Sequence, residues 1–254
     1  MNDYNEIQAV NKSTLWEMRK SPLHYWHLMH DAPKEDTAAM RFGRAAHKRM
    51  LQPSSFPGEY AVAPECDRRT KEGKQIWEAL TATGKEIISS ADMDRILAME
   101  REFAAVRHRF LWDEEYQTEK ALTWTDSETG IACKGRLDVI MPDMIIDYKT
   151  TTNASTDAFM REALRYGYDL QAAMYMEAAR ANGYDPKAFV FIAQEKDAPY
   201  LINILYAGDA FIDRGTWIMR DLLAKYKECR DKDIWPGYGT NELILPEWEV
   251  IGDE

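Results

Sequence analysis

The feature that most constrains the fold is a pair of short apolar segments separated by a turn. Residues 136–140 and 144–148 have strand composition, and Pro142 between them is a typical turn residue. An antiparallel pairing around this turn places Asp138 directly opposite Asp147, with Cβ atoms roughly 4.5–5.5 Å apart. The stretch therefore predicts a β-hairpin that carries two facing carboxylates.

Two facing carboxylates repel one another unless a cation lies between them or one of them is protonated. Side-chain alternation along the strand places Lys149 on the same face as Asp147. An acid that follows three apolar residues is poorly placed on a solvated surface, so we favour a divalent-metal site with a lysine beside it. The alternative is a surface hairpin with an ordinary Asp–Lys ion pair.

Length and composition indicate one soluble globular domain. The chain has 254 residues, of which 45% are hydrophobic, which is enough for one sizeable core. Its formal net charge of −11 disfavours a protein that coats nucleic acid non-specifically, although a local basic groove can coexist with an acidic exterior. The three cysteines are scattered, which predicts a reducing, cytoplasmic environment without a disulfide framework or a four-cysteine iron–sulfur cluster. No apolar run approaches the ~20 residues of a membrane span.

Hydrophobic periodicity predicts a helical first part and a mixed second part. Thr14 and Glu17 have the spacing of a capping box, and Pro22 restarts the helix that they begin. Further helices are expected at 36–51, 75–80, 91–110, 157–166, 170–182 and 209–230. Strands are expected at 116–125, 131–140, 144–149, 189–194 and 200–206. Residues 52–64 contain three prolines and a glycine and predict a loop.

This order predicts a single α/β domain over residues 1–254. We expect a helical N-terminal part over about residues 1–112, which carries His47. A catalytic sheet core is expected over about residues 113–231, followed by a C-terminal tail over residues 232–254.

Two pairs of residues, each one turn apart on a predicted helix, are candidates to join the site on the hairpin. Gly43 and His47 lie one turn apart, and the small glycine allows another element to approach the imidazole. A packed histidine is the alternative, but beside two carboxylates an imidazole is a suitable further metal ligand. Gln171 and Tyr175 share a helix face and could hold a phosphate oxygen and a base or sugar. Glu119 on the first long strand could also reach the site.

Basic side chains near these motifs are candidate phosphate contacts. They are Arg44, Lys48, Arg68, Arg69, Lys71, Lys74, Arg161 and Arg165. The four in the 68–74 segment form either a solvated basic loop or a loop that follows phosphates or separates strands.

Taken in order, G-x-x-x-H, G-R-x-D, D-Y-K and Q-x-x-x-Y resemble the PD-(D/E)xK nuclease superfamily, in the branch with a metal-binding histidine. The segments K-S-P-x-H-Y, F-G-R-A-A-H, D-R-R-T-K-E-G-K and D-Y-K-T-T resemble more closely its RecE-type (exonuclease VIII) family. The resemblance covers roughly residues 12–206. It implies a restriction-endonuclease-like core, with a central mixed sheet flanked by helices and a helical N-terminal extension. Leu137 stands where the pattern has proline, which changes the local backbone more than the chemistry.

The resemblance also implies a role for each matched residue. The metal ligands would be His47, Asp138, Asp147 and the backbone carbonyl of Tyr148. Lys149 would orient or deprotonate the attacking water, and Gln171 and Tyr175 would complete the catalytic site.

The activity implied is that of a Mg²⁺-dependent double-strand DNA exonuclease in which Mn²⁺ can substitute. The chain has no G-x-x-x-x-G-K-[ST] signature, so no ATP requirement is expected. By resemblance, the enzyme is bacterial or phage-encoded, degrades the 5′-ended strand and works as a homo-oligomeric ring, a tetramer, with a RecT-type annealing protein. The alternatives are a structure- or sequence-specific endonuclease on the same core and a non-catalytic DNA-binding or assembly protein.

Overall fold

The structure is a computed structural model that describes residues 4–31, 36–110 and 116–243. Its N-terminal half is mostly helical. The helices are α1 (Lys12–Glu17), α2 (Pro22–His30), α3 (Ala38–Leu51), α4 (Phe56–Glu59), α5 (Lys71–Ala82) and α6 (Ser90–Phe110). Two short strands, β1 (Tyr60–Val62) and β2 (Glu86–Ile88), pair in parallel, with α5 in the connection between them.

Three local predictions in this half are wrong. The first helix begins one turn earlier than expected, because the Asn11 side chain accepts a hydrogen bond of 3.0 Å from the Thr14 N–H. The predicted loop over residues 52–64 contains α4 and β1. The Thr70 side chain caps α5, so Lys71 and Lys74 lie in the first turns of a helix and not in a basic loop.

The second half forms a five-stranded mixed sheet with three helices. The strands, in spatial order, are β3 (Gln117–Thr125), β4 (Ala132–Ile140), β5 (Met144–Thr151), β6 (Ala188–Glu195) and β7 (Ile202–Tyr206). Only the β5–β6 pair is parallel. Its connection contains α7 (Thr156–Tyr166) and α8 (Tyr168–Ala181), and α9 (Asp209–Lys232) follows β7. The predicted α/β fold with a central mixed sheet flanked by helices is confirmed.

Helices cover both faces of this sheet. On one face, Leu170 of α8 and Phe189 of β6 belong to a buried core that also includes residues of α1, α7 and α9. On the other face, Phe103 of α6 packs in a second core with residues of α3. The adjacent residues Ile145 and Ile146 of β5 are fully buried in the first and second core respectively. This central strand therefore holds the two layers together.

The predicted register of the central hairpin is confirmed. Val139 pairs with Ile146 and Ile140 pairs with Ile145. The Met141 N–H donates a hydrogen bond of 2.8 Å to the Met144 carbonyl across the turn. The ladder ends at the Val139–Ile146 pair, so the predicted pairing of Asp138 with Asp147 is not part of it.

Two predicted features lie outside the described residues. They are the boundary near residues 112–113 and the part of the predicted tail over residues 244–254. Within the described ranges, no helix has the length and apolar character needed to cross a membrane.

The junction of α7 and α8 allows a stability prediction. Gly167 has φ of +68°, and a Cβ on it would lie 2.5 Å from the Trp16 ring. Gly84 has the same φ and open space around it. We expect Gly84→Ala to lower the free energy of unfolding by about 1–2 kcal/mol through backbone strain alone. Gly167→Ala should lower it by about 2–5 kcal/mol, because overpacking adds to the strain. Chemical denaturation measures both values, and equal losses would contradict the packing argument.

Candidate active site

The strands of the central hairpin separate where the sequence places its carboxylates. The β4–β5 ladder ends at the Val139–Ile146 pair, and beyond it the Asp138 carboxylate accepts a hydrogen bond of 2.8 Å from the Tyr148 N–H. The β3–β4 pairing also skips Asp138 and its neighbour Glu119, whose φ of +53° lies in the left-handed region. The Asp138 side chain therefore lies at an interruption of the sheet.

His47 reaches this interruption from α3. One turn earlier, Gly43 faces β5, where a Cβ would lie 3.5 Å from Thr150 Oγ1. This is an ordinary van der Waals distance, so α3 packs against β5 at a spacing that does not require the glycine. His47 Nε2 lies 2.8 Å from Asp138 Oδ2, and His47 Nδ1 lies 3.3 Å from Glu119 Oε1. Each of these three residues offers one donor atom within 4.8 Å of the other two.

The electrostatics of this cluster suit a divalent cation. Burial lowers the pKa of His47, but Asp138 and Glu119 outweigh burial and raise it. Burial raises the pKa of Asp138, but His47 and Lys149 outweigh burial and lower it. The pair therefore favours an imidazolium beside a carboxylate, and a metal ion would replace the imidazolium proton. Two carboxylates and one imidazole form a donor set that such ions use.

Asp147 and Lys149 form a second group on the α8 side of β5. Asp147 is fully buried. One of its oxygens is paired with Lys149 Nζ, and the other accepts a hydrogen bond of 2.5 Å from Gln171 Nε2. Burial raises the pKa of Asp147 to about 6, although Lys149 opposes this rise. Burial lowers the pKa of Lys149, but Asp147 and Asp138 outweigh burial and keep this pKa above its ordinary value.

The D-Y-K motif thus divides its side chains between two faces. Tyr148 packs edge-on against Phe103 at 5.3 Å between ring centroids, in the core on the α3 and α6 side. On the opposite face, Lys149 Nζ lies 4.8 Å from the centroid of the Tyr168 ring of α8. Two contacts therefore join α8 to β5. Tyr168 contacts Lys149, and Gln171, one turn further along α8, contacts Asp147.

Tyr175 lies one turn beyond Gln171. Its ring would be 3.0 Å from a Cβ on Gly135, so the glycine of the K-G-R-L-D segment lets the ring pack against β4. Burial raises the pKa of the Tyr175 hydroxyl well above its ordinary value. The hydroxyl therefore stays protonated.

A cleft of about 770 Å³ connects these groups. Its walls include six residues of the predicted site. They are His47, Asp138, Tyr148, Lys149, Gln171 and Tyr175. Asp147, buried behind Lys149, does not line the cleft.

The predicted phosphate contacts divide into two sets. Arg44 and Lys48 line the cleft. Arg44 is ion-paired with Asp36 and Glu86, and Lys48 with Glu59. The other six lie outside the cleft. They are Arg68, Arg69, Lys71 and Lys74 around the start of α5, and Arg161 and Arg165 on exposed positions of α7.

Tyr168 and Lys12 are among the cleft residues that the sequence did not predict. Tyr168 lies three residues before Gln171, so its helical spacing could have revealed it. Lys12 also lines the cleft, from the first residue of α1. No local pattern connects Lys12 to a strand more than 130 residues away.

Comparisons with known proteins agree with this architecture. A family model described as a PDDEXK-like domain of unknown function (DUF3799) matches residues 12–244. The search of curated proteins finds no match.

Several solved structures are similar to the chain. The crystal structure titled "Putative exonuclease" from Eubacterium rectale has 15% identity and a TM-score of 0.61, over 87% of this chain and 82% of that one. A phage related exonuclease from Haemophilus somnus 129PT has 15% identity, over 91% of this chain and 99% of that one, but a TM-score of only 0.40. At such low identity, the first likeness is one of fold.

Proposed function

The chain belongs to the PDDEXK-like family DUF3799, and from this premise we propose that it is a Mg²⁺-dependent, ATP-independent double-strand DNA exonuclease. Family membership confirms the predicted PD-(D/E)xK superfamily. The observation that carries the activity is the His47–Glu119–Asp138 cluster, which shares a cleft with Lys149. The exonuclease title of the Eubacterium rectale structure supports cleavage from ends.

The donor set fits the proposed metal. The residues that offer donor atoms close together are His47, Glu119 and Asp138. We propose that Asp147 and the Tyr148 carbonyl complete the set, as the sequence motifs imply, although Asp147 does not line the cleft. A bound Mg²⁺ ion, or Mn²⁺ in its place, would lower the pKa of water and neutralise charge on a phosphate.

Lys149 has an electrostatic role in this proposal. Its raised pKa keeps the ammonium charged at neutral pH, so it donates hydrogen bonds to negative oxygen and does not accept a proton from water. A buried positive charge near the scissile phosphate stabilises the negative charge that develops during hydrolysis. This argument favours the orienting role of Lys149 over its deprotonating role.

Gln171 and Tyr175 support the reaction from α8. The Gln171 amide fixes one oxygen of Asp147 and thereby orients the carboxylate that Lys149 contacts. The Tyr175 hydroxyl stays protonated and can donate a hydrogen bond into the cleft. We propose that Arg44 and Lys48 contact DNA phosphates at the wall of the cleft, and that the α5 and α7 basic residues contact more distant ones.

Further proposals concern direction and assembly. The enzyme would degrade the 5′-ended strand and leave a 3′ single strand for a RecT-type annealing protein. It would act as a homo-oligomeric ring, a tetramer, around the duplex. These features rest on the RecE-type sequence motifs.

Digestion of linear and circular duplexes tests the activity. We expect purified protein with Mg²⁺ and without ATP to degrade linear DNA labelled at the 5′ end and to spare covalently closed circles. Release of label from the 3′ strand first would contradict the direction. Cleavage of closed circles would indicate an endonuclease, and binding without cleavage would indicate a non-catalytic DNA-binding protein.

A further inference from the structure

Lys12 is a second lysine in the cleft that holds Lys149. Its ammonium donates a hydrogen bond of 2.5 Å to the Tyr166 carbonyl at the end of α7. It also lies 5.8 Å from the centroid of the Trp16 ring and 5.5 Å from that of the Tyr168 ring. The side chain is therefore held by one neutral acceptor and two aromatic rings.

Within the part of the chain that the structure describes, Lys12 has no carboxylate partner. Lys149, by contrast, is ion-paired with Asp147. Burial lowers the pKa of Lys12 to about 8, and the charge of Lys149 lowers it further, while Asp147 opposes them. Lys12 is half-buried, and a partly desolvated ammonium without an anionic partner lowers the stability of the fold.

The two ammonium groups converge on one aromatic ring. Lys149 Nζ lies 4.8 Å from the centroid of the Tyr168 ring and Lys12 Nζ lies 5.5 Å from it. Like charges so arranged repel one another, and neither the Tyr166 carbonyl nor the aromatic rings supply a full negative charge. A negative group that enters the cleft would reduce the repulsion between the two ammonium groups and would give Lys12 an ion-pair partner.

We propose that Lys12 binds a backbone phosphate of the DNA strand in the cleft, as a second cationic contact beside Lys149. This inference rests on the proposed function, because a nuclease cleft is where a phosphodiester would enter. The ligand class follows from the two ammonium groups, which line one cleft and can both approach the diffuse negative charge of a phosphodiester.

Binding of a blunt 20-base-pair duplex in EDTA, without turnover, tests the proposal. Lys12→Met keeps the length and apolar contacts of the side chain but removes its charge. We expect it to weaken binding about tenfold for any sequence and to reduce the slope of log K against log salt concentration by about 0.9. Lys12→Arg keeps the charge and should retain most of the slope.

Thermal unfolding of the same variant distinguishes a DNA-binding lysine from a structural one, because the two roles predict Tm changes of opposite sign. Lys12→Met should raise Tm by ~2–4 °C, because it removes a half-buried charge that has no ion-pair partner among the described residues. A lysine that merely supports the Tyr166 carbonyl would give a lower Tm when replaced. Lys20→Met is the matched control, since Lys20 is exposed and ion-paired with Glu17 just after the same helix.

An unchanged salt slope in Lys12→Met overturns the proposal, whatever its Tm. An equal loss of slope in Lys20→Met also overturns it, because the effect would then be general electrostatics. Absence of duplex binding by the native protein has the same consequence. If the native protein binds DNA through Lys12 but does not cleave it with Mg²⁺, the inference stands and the proposed nuclease activity fails.

Discussion

Asp147→Asn abolishes Mg²⁺-dependent digestion of linear duplex DNA, or reduces it at least about a hundredfold. Asp147 is fully buried, with one oxygen on the Lys149 ammonium and the other on the Gln171 amide. Asparagine keeps the size of the side chain but removes the negative charge that a metal ion and Lys149 both need. The rate of label release from end-labelled duplex measures the effect.

Asp143→Asn is the matched control for this substitution. Asp143 is an exposed acid in the turn of the same hairpin, and its backbone carbonyl accepts hydrogen bonds from Lys187 and Ala188. We expect native turnover from this variant. Native turnover from Asp147→Asn would remove Asp147 from the catalytic site.

The pH dependence of metal affinity provides a second check on Asp147. Burial raises its pKa to about 6, and a protonated carboxyl group does not bind a metal ion. Mn²⁺ affinity of the native protein, measured by calorimetry, should therefore fall as the pH decreases through about 6. Asp147→Asn, which removes this ligand, should bind Mn²⁺ weakly at every pH.

The central hairpin was predictable because its information is local. A turn residue and two apolar segments fix the register, and the observed Val139–Ile146 and Ile140–Ile145 pairs agree with it. Period-2 alternation also placed Lys149 beside Asp147 correctly. The roles of these residues in catalysis remain predictions.

The interruption of the sheet at Asp138 was not predictable in the same way. It depends on the left-handed backbone of Glu119, a residue type with no special preference for positive φ. Nothing near Glu119 in the sequence indicates that its carboxylate meets an imidazole from α3. Tertiary contacts between three separate elements determine this part of the site.

Short elements with distant partners were missed for a related reason. β1 has three residues and pairs in parallel with β2, and α5 connects the two strands. Three residues are too few to show a period, and a parallel pair is connected through other structure. The start of α5 was misplaced because Gly73 is a poor helix former, although the Thr70 cap compensates for it by accepting the Gly73 N–H.

Lys149→Met separates the lysine from the metal ligands. We expect turnover to fall about 10²–10³-fold, because the variant loses the only ammonium that is ion-paired with Asp147 among the described residues. Mn²⁺ affinity should remain within about tenfold of the native value, since an ammonium is not a metal ligand and Asp147 keeps its hydrogen bond from Gln171. Single-turnover digestion and calorimetry measure the two quantities separately.

Lys187→Met is the control for loss of a lysine charge, because Lys187 is exposed and ion-paired with Asp185. It should change neither quantity. In Lys149→Met, the loss of the ammonium also removes an influence that lowers the pKa of Asp147. Calorimetry should therefore be done over a range of pH, so that protonation of this carboxyl group is distinguished from loss of the metal site. If Mn²⁺ affinity is then lost as completely as in Asp147→Asn, Lys149 acts by holding the ligand in place and not by stabilising charge on the substrate.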